Sequence, residues 1–196
     1  MNSSEVYKAP NSDLFKQDLV QTAYYTVAKH KLITLIISTM GLYVIYWFYK
    51  NWKYQEPKMD MPIRPFWRGL FYYFYVHSLF ARVYGSAKNQ QIEVKYNLKT
   101  LATVLMIAAI CGVISSGVSN YSTSYLLSML GLLSLPATLY PLLKTQEVIN
   151  QVNNDPKGEA NCRYTALNII FIVIGVIWWL LTLFGLYVIA TIKPVL

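Results

Sequence analysis

The chain of 196 residues is 55% apolar and only 13% charged, with a mean hydropathy of +0.35 and a net charge of +8. Soluble domains carry about 25% charged residues, and the deficit here falls in long uncharged runs, which excludes an ordinary soluble core and points to a membrane. Two cysteines, Cys111 in an apolar run and Cys162 beside a charged loop, give neither a disulfide framework nor a zinc site.

Residues 1–31 read as a polar tail, with Pro10-Asn11-Ser12-Asp13 as a turn or helix start and a short helix open over 13–31. No cleavable signal peptide is expected there. The first uncharged run, 32–49, is 18 residues long. As a helix it rises about 27 Å, close to the 30 Å hydrocarbon core of a bilayer. Gly41 within it is assigned to close helix packing, with a kink as the other reading.

Tyrosines, Trp47 and then Lys50 close this run, as at a membrane interface. Residues 39–50 read Thr-Met-Gly-Leu-Tyr-Val-Ile-Tyr-Trp-Phe-Tyr-Lys. Over about 25–53 the chain resembles a family of small, uncharacterised bacterial membrane proteins. That family, a domain of unknown function, carries a Thr-x-Gly-(Leu/Ile)-Tyr-x-(Ile/Leu)-Tyr-Trp-x-Tyr-Lys signature. The informative positions are Gly41, Tyr43, Tyr46, Trp47, Tyr49 and Lys50. The resemblance implies a membrane class and supplies no mechanism.

A basic linker with Pro57, Pro62 and Pro65 leads into an aromatic segment, 66–84. Arg68, Tyr75 and Arg82 are heptad-spaced there, on one stripe of a helix. Two arginines are costly near a bilayer centre, so the expectation is an interfacial or re-entrant helix. Arg64, Arg68 and Arg82 would bind lipid headgroups. The uncharged stretch 100–143 suits a hairpin of two spans, about 101–118 and 123–143, with Pro136 and Pro141 kinking or ending the second. Over 144–154 an amphipathic helix is expected, with Gln146, Asn150 and Asn153 on one face and Val148, Ile149 and Val152 on the other. Asn154-Asp155-Pro156-Lys157-Gly158 is a turn signal. The last run, 165–192, is long enough to tilt or bend. Trp178 and Trp179 near its middle are expected to face other helices. Gly185 to Ile189 repeats the Gly-Leu-Tyr-Val-Ile of Gly41 to Ile45, which assigns Gly185 to helix packing as well.

The expected fold is therefore all-α and integral to the membrane. A polar tail (1–31) precedes one helical domain (32–196) with about four embedded segments and one aromatic interfacial helix. If all four segments cross, loops 50–99 and 144–164 hold twelve Lys and Arg against five on the other side. The loops are then cytoplasmic. Lys29-His30-Lys31 fits poorly with this, and a re-entrant first segment, with both flanks inside, stays open.

None of the four apolar runs holds an ionisable Asp, Glu, Lys, Arg or His. That argues against proton-coupled transport and intramembrane proteolysis. His30 and His77 are too few for a histidine metal site, and phosphate-loop and hydrolase motifs are missing. No catalytic residue, metal or cofactor is assigned. The function expected is a non-enzymatic scaffold or partner protein of the bacterial inner membrane. Its partners would be anionic phospholipids and another membrane protein or a second copy, not nucleic acid. The alternative is a channel, transporter or lipid-handling protein.

Overall fold

A computed structural model describes residues 22–119 and 125–191. Seven helices appear among them, and no strand: α1 (Lys29–Ser38), α2 (Tyr43–Gln55), α3 (Pro65–Leu70), α4 (Tyr72–Asn89), α5 (Leu98–Ser119), α6 (Tyr125–Val152) and α7 (Ala166–Thr191). The all-α expectation is met. The number of spans is not: among the described residues two helices, α5 and α7, are long and apolar enough to cross a membrane.

The first apolar run fails because it breaks. At the end of α1, Gly41 N–H donates to Ile36 O and Met40 N–H to Ile37 O. That is a Schellman cap, with Met40 (φ 50°) in the left-handed position. Gly41 follows at φ 90°, where a side chain would be strained. Thr39 bridges the break, its hydroxyl donating to Leu35 O and accepting from Tyr43 N–H. Two short helices result, neither long enough to span.

The aromatic segment divides too. Pro65 starts α3, and Phe71 (φ −100°, ψ 41°) separates it from α4. Val76, Leu79, Phe80, Val83 and Ala87 then bury one stripe of α4, which packs on α5 and α6. The segment expected over 123–143 joins the next one: α6 runs on through Pro136, Pro141 and Lys144 to Val152. Schellman caps close α4 at Gln91 and α6 at Asn154, the latter within the expected turn. The turn foreseen near Asn120 lies outside the described residues.

α7 runs close to the bounds read from the sequence. It packs on the body mainly through α1, and the crossing is unusually close. A β-carbon on Gly175 would collide with the carbonyl of Ser38. Trp179 Nε1–H donates to Ile37 O, while its neighbour Trp178 is 60% exposed. One of the two tryptophans thus meets another helix and the other points outward. The shared pentapeptide takes two backbone forms, a turn entering α2 at Gly41 and continuous helix at Gly185.

Candidate functional site

Before α1 the chain runs from Thr22 to Ala28 without helix or strand, bending at Ala23–Tyr24, and most of this strap is buried. Such a segment inside a protein must satisfy its N–H and C=O groups without a helix or sheet. Here side-chain amides do it. Asn51 Oδ1 accepts from Tyr25 N–H, and Gln55 Nε2 donates to Ala23 O. From α6, Gln146 Nε2 donates to Tyr25 O and Asn150 Nδ2 to Val27 O. Asn153 Oδ1 accepts from Ala23 and Tyr24 N–H, and its Nδ2 donates to Tyr24 O. Asn161 Nδ2, from the following loop, donates to Thr26 O.

Helical spacing explains the array. Trp47, Phe48, Asn51, Trp52 and Gln55 line one buried face of α2. Gln146, Asn150 and Asn153 line one face of α6, and Val148, Ile149 and Val152 are buried on the other. Gln146 ties the two helices together, accepting from Trp47 Nε1–H at 2.6 Å while donating to Asn150 Oδ1. The loop after α6 closes over the strap. Asp155 holds the turn at Glu159–Asn161 by accepting from Glu159 and Ala160 N–H. Gly158 (φ 73°) passes so close to Val27 and Ala28 that a β-carbon would lie 2.6 Å from their backbone.

Lys31, in the first turn of α1, is 2% exposed. Its ammonium donates to Asn161 Oδ1 and Arg163 O, both at 2.6 Å. No carboxylate pairs with it among the described residues. Burial holds its pKa below the usual lysine value. Lys31 lines a cavity of about 470 Å³, walled by Tyr24, Tyr25, Tyr46 and Tyr54 and by Asn161, Thr165 and Asn168. Above it the Tyr25 and Tyr43 hydroxyls lie 3.1 Å apart.

These hydrogen bonds put residues 22–28, 51–55 and 146–161 at one end of the molecule. α1 and α2 therefore form a hairpin whose two flanks lie together. The four-crossing arrangement would separate the N-terminal side from the later loops, whereas here Thr22–Ala28 lies against them. This placement also accounts for Lys29, whose ammonium pairs with Glu147 at 2.9 Å.

The residues assigned to headgroups fall differently. Arg64 and Arg82 are exposed. Arg68 stacks its guanidinium over Trp52 at 4.4 Å and Tyr75 at 5.1 Å, so two members of the stripe touch each other. Of the glycines assigned to packing, Gly41 occupies the break between α1 and α2, and a β-carbon there would meet Leu135 at an ordinary 3.8 Å. A β-carbon on Gly185 would meet nothing within 4 Å among the described residues. The close approaches fall at Gly175 and at Gly69, where α3 lies against Tyr49 and the carbonyl of Ile45.

The amide array was missed by sequence reasoning, although a signal exists. Positions 146, 150 and 153 carry only Gln and Asn on one helical face, whereas a solvated face usually mixes in charges. The chain matches no family model, no curated protein and no solved structure.

Proposed function

We propose that the chain is a non-enzymatic scaffold of the bacterial inner membrane, anchored by its apolar helices, with its basic end held on the anionic cytoplasmic leaflet. The uncovered surface of α7 carries this reading. Only 6% of its Ala166–Gly185 window is buried by the rest of the chain. Leu167, Ile170, Phe171, Ile174, Leu181 and Phe184 stand outward on several sides, a surface suited to hydrocarbon rather than water.

The charge distribution supports the orientation. All fourteen Lys and Arg among the described residues precede α7, and Lys29, Lys31, Lys58 and Lys144 among them bond to groups at the strap end. Such a bias favours a cytoplasmic basic end. The buried amides favour a structural role, because their hydrogen bonds are spent on the strap and on one another. Phe66, Trp67, Phe71 and Phe74 present exposed rings along α3 and the start of α4, of the kind that seats a helix at the headgroup level.

Two measurements test the reading. Alkaline carbonate extraction should leave the chain in the membrane. Single cysteines introduced at Thr22, Lys88 and Asn154, in a background lacking Cys111 and Cys162, should all be labelled from the cytoplasmic side. Release by carbonate, or labelling of these sites from opposite sides, would defeat it.

A further inference from the structure

The cavity at Lys31 is not isolated. A second cavity of about 290 Å³ shares Tyr46, Thr165 and Asn168 with it and is otherwise lined by Leu35, Thr39, Leu42, Tyr43, Leu167 and Phe171. One chamber is polar and carries a buried cation. The other is largely apolar and lies between the α1–α2 hairpin and the uncovered flank of α7.

We propose that the two chambers form one site for a single-chain anionic amphiphile, a carboxylate or phosphate head bound at Lys31 with its acyl chain along Leu35, Leu42 and Phe171. The argument starts from charge. A buried ammonium is costly unless an anion compensates it. Lys31 has two neutral oxygen acceptors and no carboxylate. An ammonium has three protons, and two of these have acceptors among the described residues. An anionic head in the polar chamber would take the third proton and neutralise the charge.

The surrounding groups suit such a head. Thr165 and Asn168 line both chambers, so they mark the boundary between head and chain. Their mutual hydrogen bonds, Asn168 Oδ1 from Thr165 N–H and Thr165 Oγ1 from Asn168 N–H, fix their geometry at the start of α7. Leu167 lies in the first turn of α7 and Phe171 in the second, so the wall turns apolar in the direction a chain would take into the bilayer. A free inorganic anion would use the first chamber and leave the second without purpose. This site goes beyond the scaffold role but rests on the same membrane placement, which the carbonate extraction tests separately.

The test uses the full chain in nanodiscs of phosphatidylcholine. The probe is cis-parinaric acid, a fluorescent fatty acid. Saturable binding is expected. Palmitate and lysophosphatidic acid should both displace the probe, one for each head chemistry. Hexadecanol, which has the chain without the charge, and inorganic phosphate, which has the charge without the chain, should not. Lys31→Met should weaken binding at least tenfold. Should that variant fold poorly, Asn168→Asp keeps the carbonyl-type acceptor for Thr165 N–H and puts a negative charge at the head, with a similar loss. Lys29→Gln, which changes an exposed cation, should leave binding unaltered. Displacement by hexadecanol as strong as by palmitate, or undiminished binding in folded Lys31→Met or Asn168→Asp protein, overturns the site. Displacement by phosphate alone would reassign it to a free anion.

Discussion

The strap and the start of α7 share the wall of the Lys31 cavity but are held by opposite means. Buried residues dominate Thr22–Ala28, and most of the hydrogen bonds to its backbone come from the named side-chain amides. α7 meets the body at one close crossing, Gly175 on Ser38, and leaves most of its apolar side chains bare. α5 stands between these extremes. It is also apolar enough to span, but 39% of its window is buried. Its inner stripe (Leu101, Ala102, Leu105, Ala108, Ala109) faces the bundle, while Val104, Ile107, Cys111 and Ile114 face outward. The difference teaches where each part of the chain gets its stability. The strap end folds on hydrogen bonds and aromatic packing, much as a soluble protein does. α7 relies on its surroundings, because lipid can cover what the protein does not.

The sharpest way to break this contrast is at Gln146. Gln146→Leu leaves Trp47 Nε1, Tyr25 O and Asn150 Oδ1 without a shared partner in a buried site. Each such group costs about 1–3 kcal/mol, so a loss of about 3–9 kcal/mol is expected. It would be read as a fall in thermal stability in mild detergent, together with tryptic cleavage at the normally hidden Lys31. Wild-type stability would mean that the strap is not held by amides.

Next in size is the α1–α7 crossing. Gly175→Leu should separate the helices at a cost of about 1–3 kcal/mol, as overpacking generally does. Gly185→Leu, in open space, should leave stability unchanged in the same unfolding assay. Equal effects would remove the crossing as the point of attachment.

A smaller effect belongs to the edge of the strap end. Glu147 pairs with Lys29 at 2.9 Å and Lys144 at 3.3 Å. Partial burial opposes its ionisation, but hydrogen bonds from the two lysines outweigh this and hold its pKa below the usual carboxylate value. A depressed carboxyl contributes stability above its unfolded pKa of about 4.3 and loses it as pH falls through the lower folded value. Glu147→Gln should cost less than about 1 kcal/mol near neutral pH, because the pair is partly exposed. The variant and the parent should converge in acid, and a gap that widened with acidification would contradict the pairing.

The smallest change expected is on the bare helix itself. Leu181→Ala should shift stability by under about 0.5 kcal/mol in nanodiscs, since the side chain is 62% exposed and the proposed membrane placement sets it against lipid. A loss of about 2 kcal/mol or more, the range of a buried leucine, would mean that α7 is covered by a partner or a second copy.

How legible each region was follows from the same contrast. α7 was read nearly to the residue, because 28 uncharged residues form a local signal. The turn at Asn154–Gly158 was legible for the same reason, its Asn, Pro and Gly each acting on their own neighbourhood. The break at Met40–Gly41 was half visible: the glycine was noticed, but hydropathy counts a turn residue and a packing residue alike. Thr22–Ala28 offered nothing local to find. Besides Asn51 and Gln55, its amide partners stand 121 to 135 residues away in Gln146, Asn150, Asn153 and Asn161, and amides on a helix look like a solvated face until the opposite chain is known. Lys31 was counted as topology, whereas its burial depends on the loop at Asn161 and Arg163.

The strap has a consequence for the order of events during synthesis. Thr22 to Ala28 are translated early, yet four of the amides that receive them are made more than a hundred residues later. Loop closure over such a distance is entropically costly and slow. Until then their backbone groups stay bonded to water. If α5 and α6 insert as the proposed membrane placement requires, the strap can seat only when the end of α6 has returned to the side where the strap waits. A chain inserted with the wrong topology presents no amides there, and its first segment stays open to proteases. Docking of seven early residues thus acts as a final inspection of how the rest of the chain was threaded.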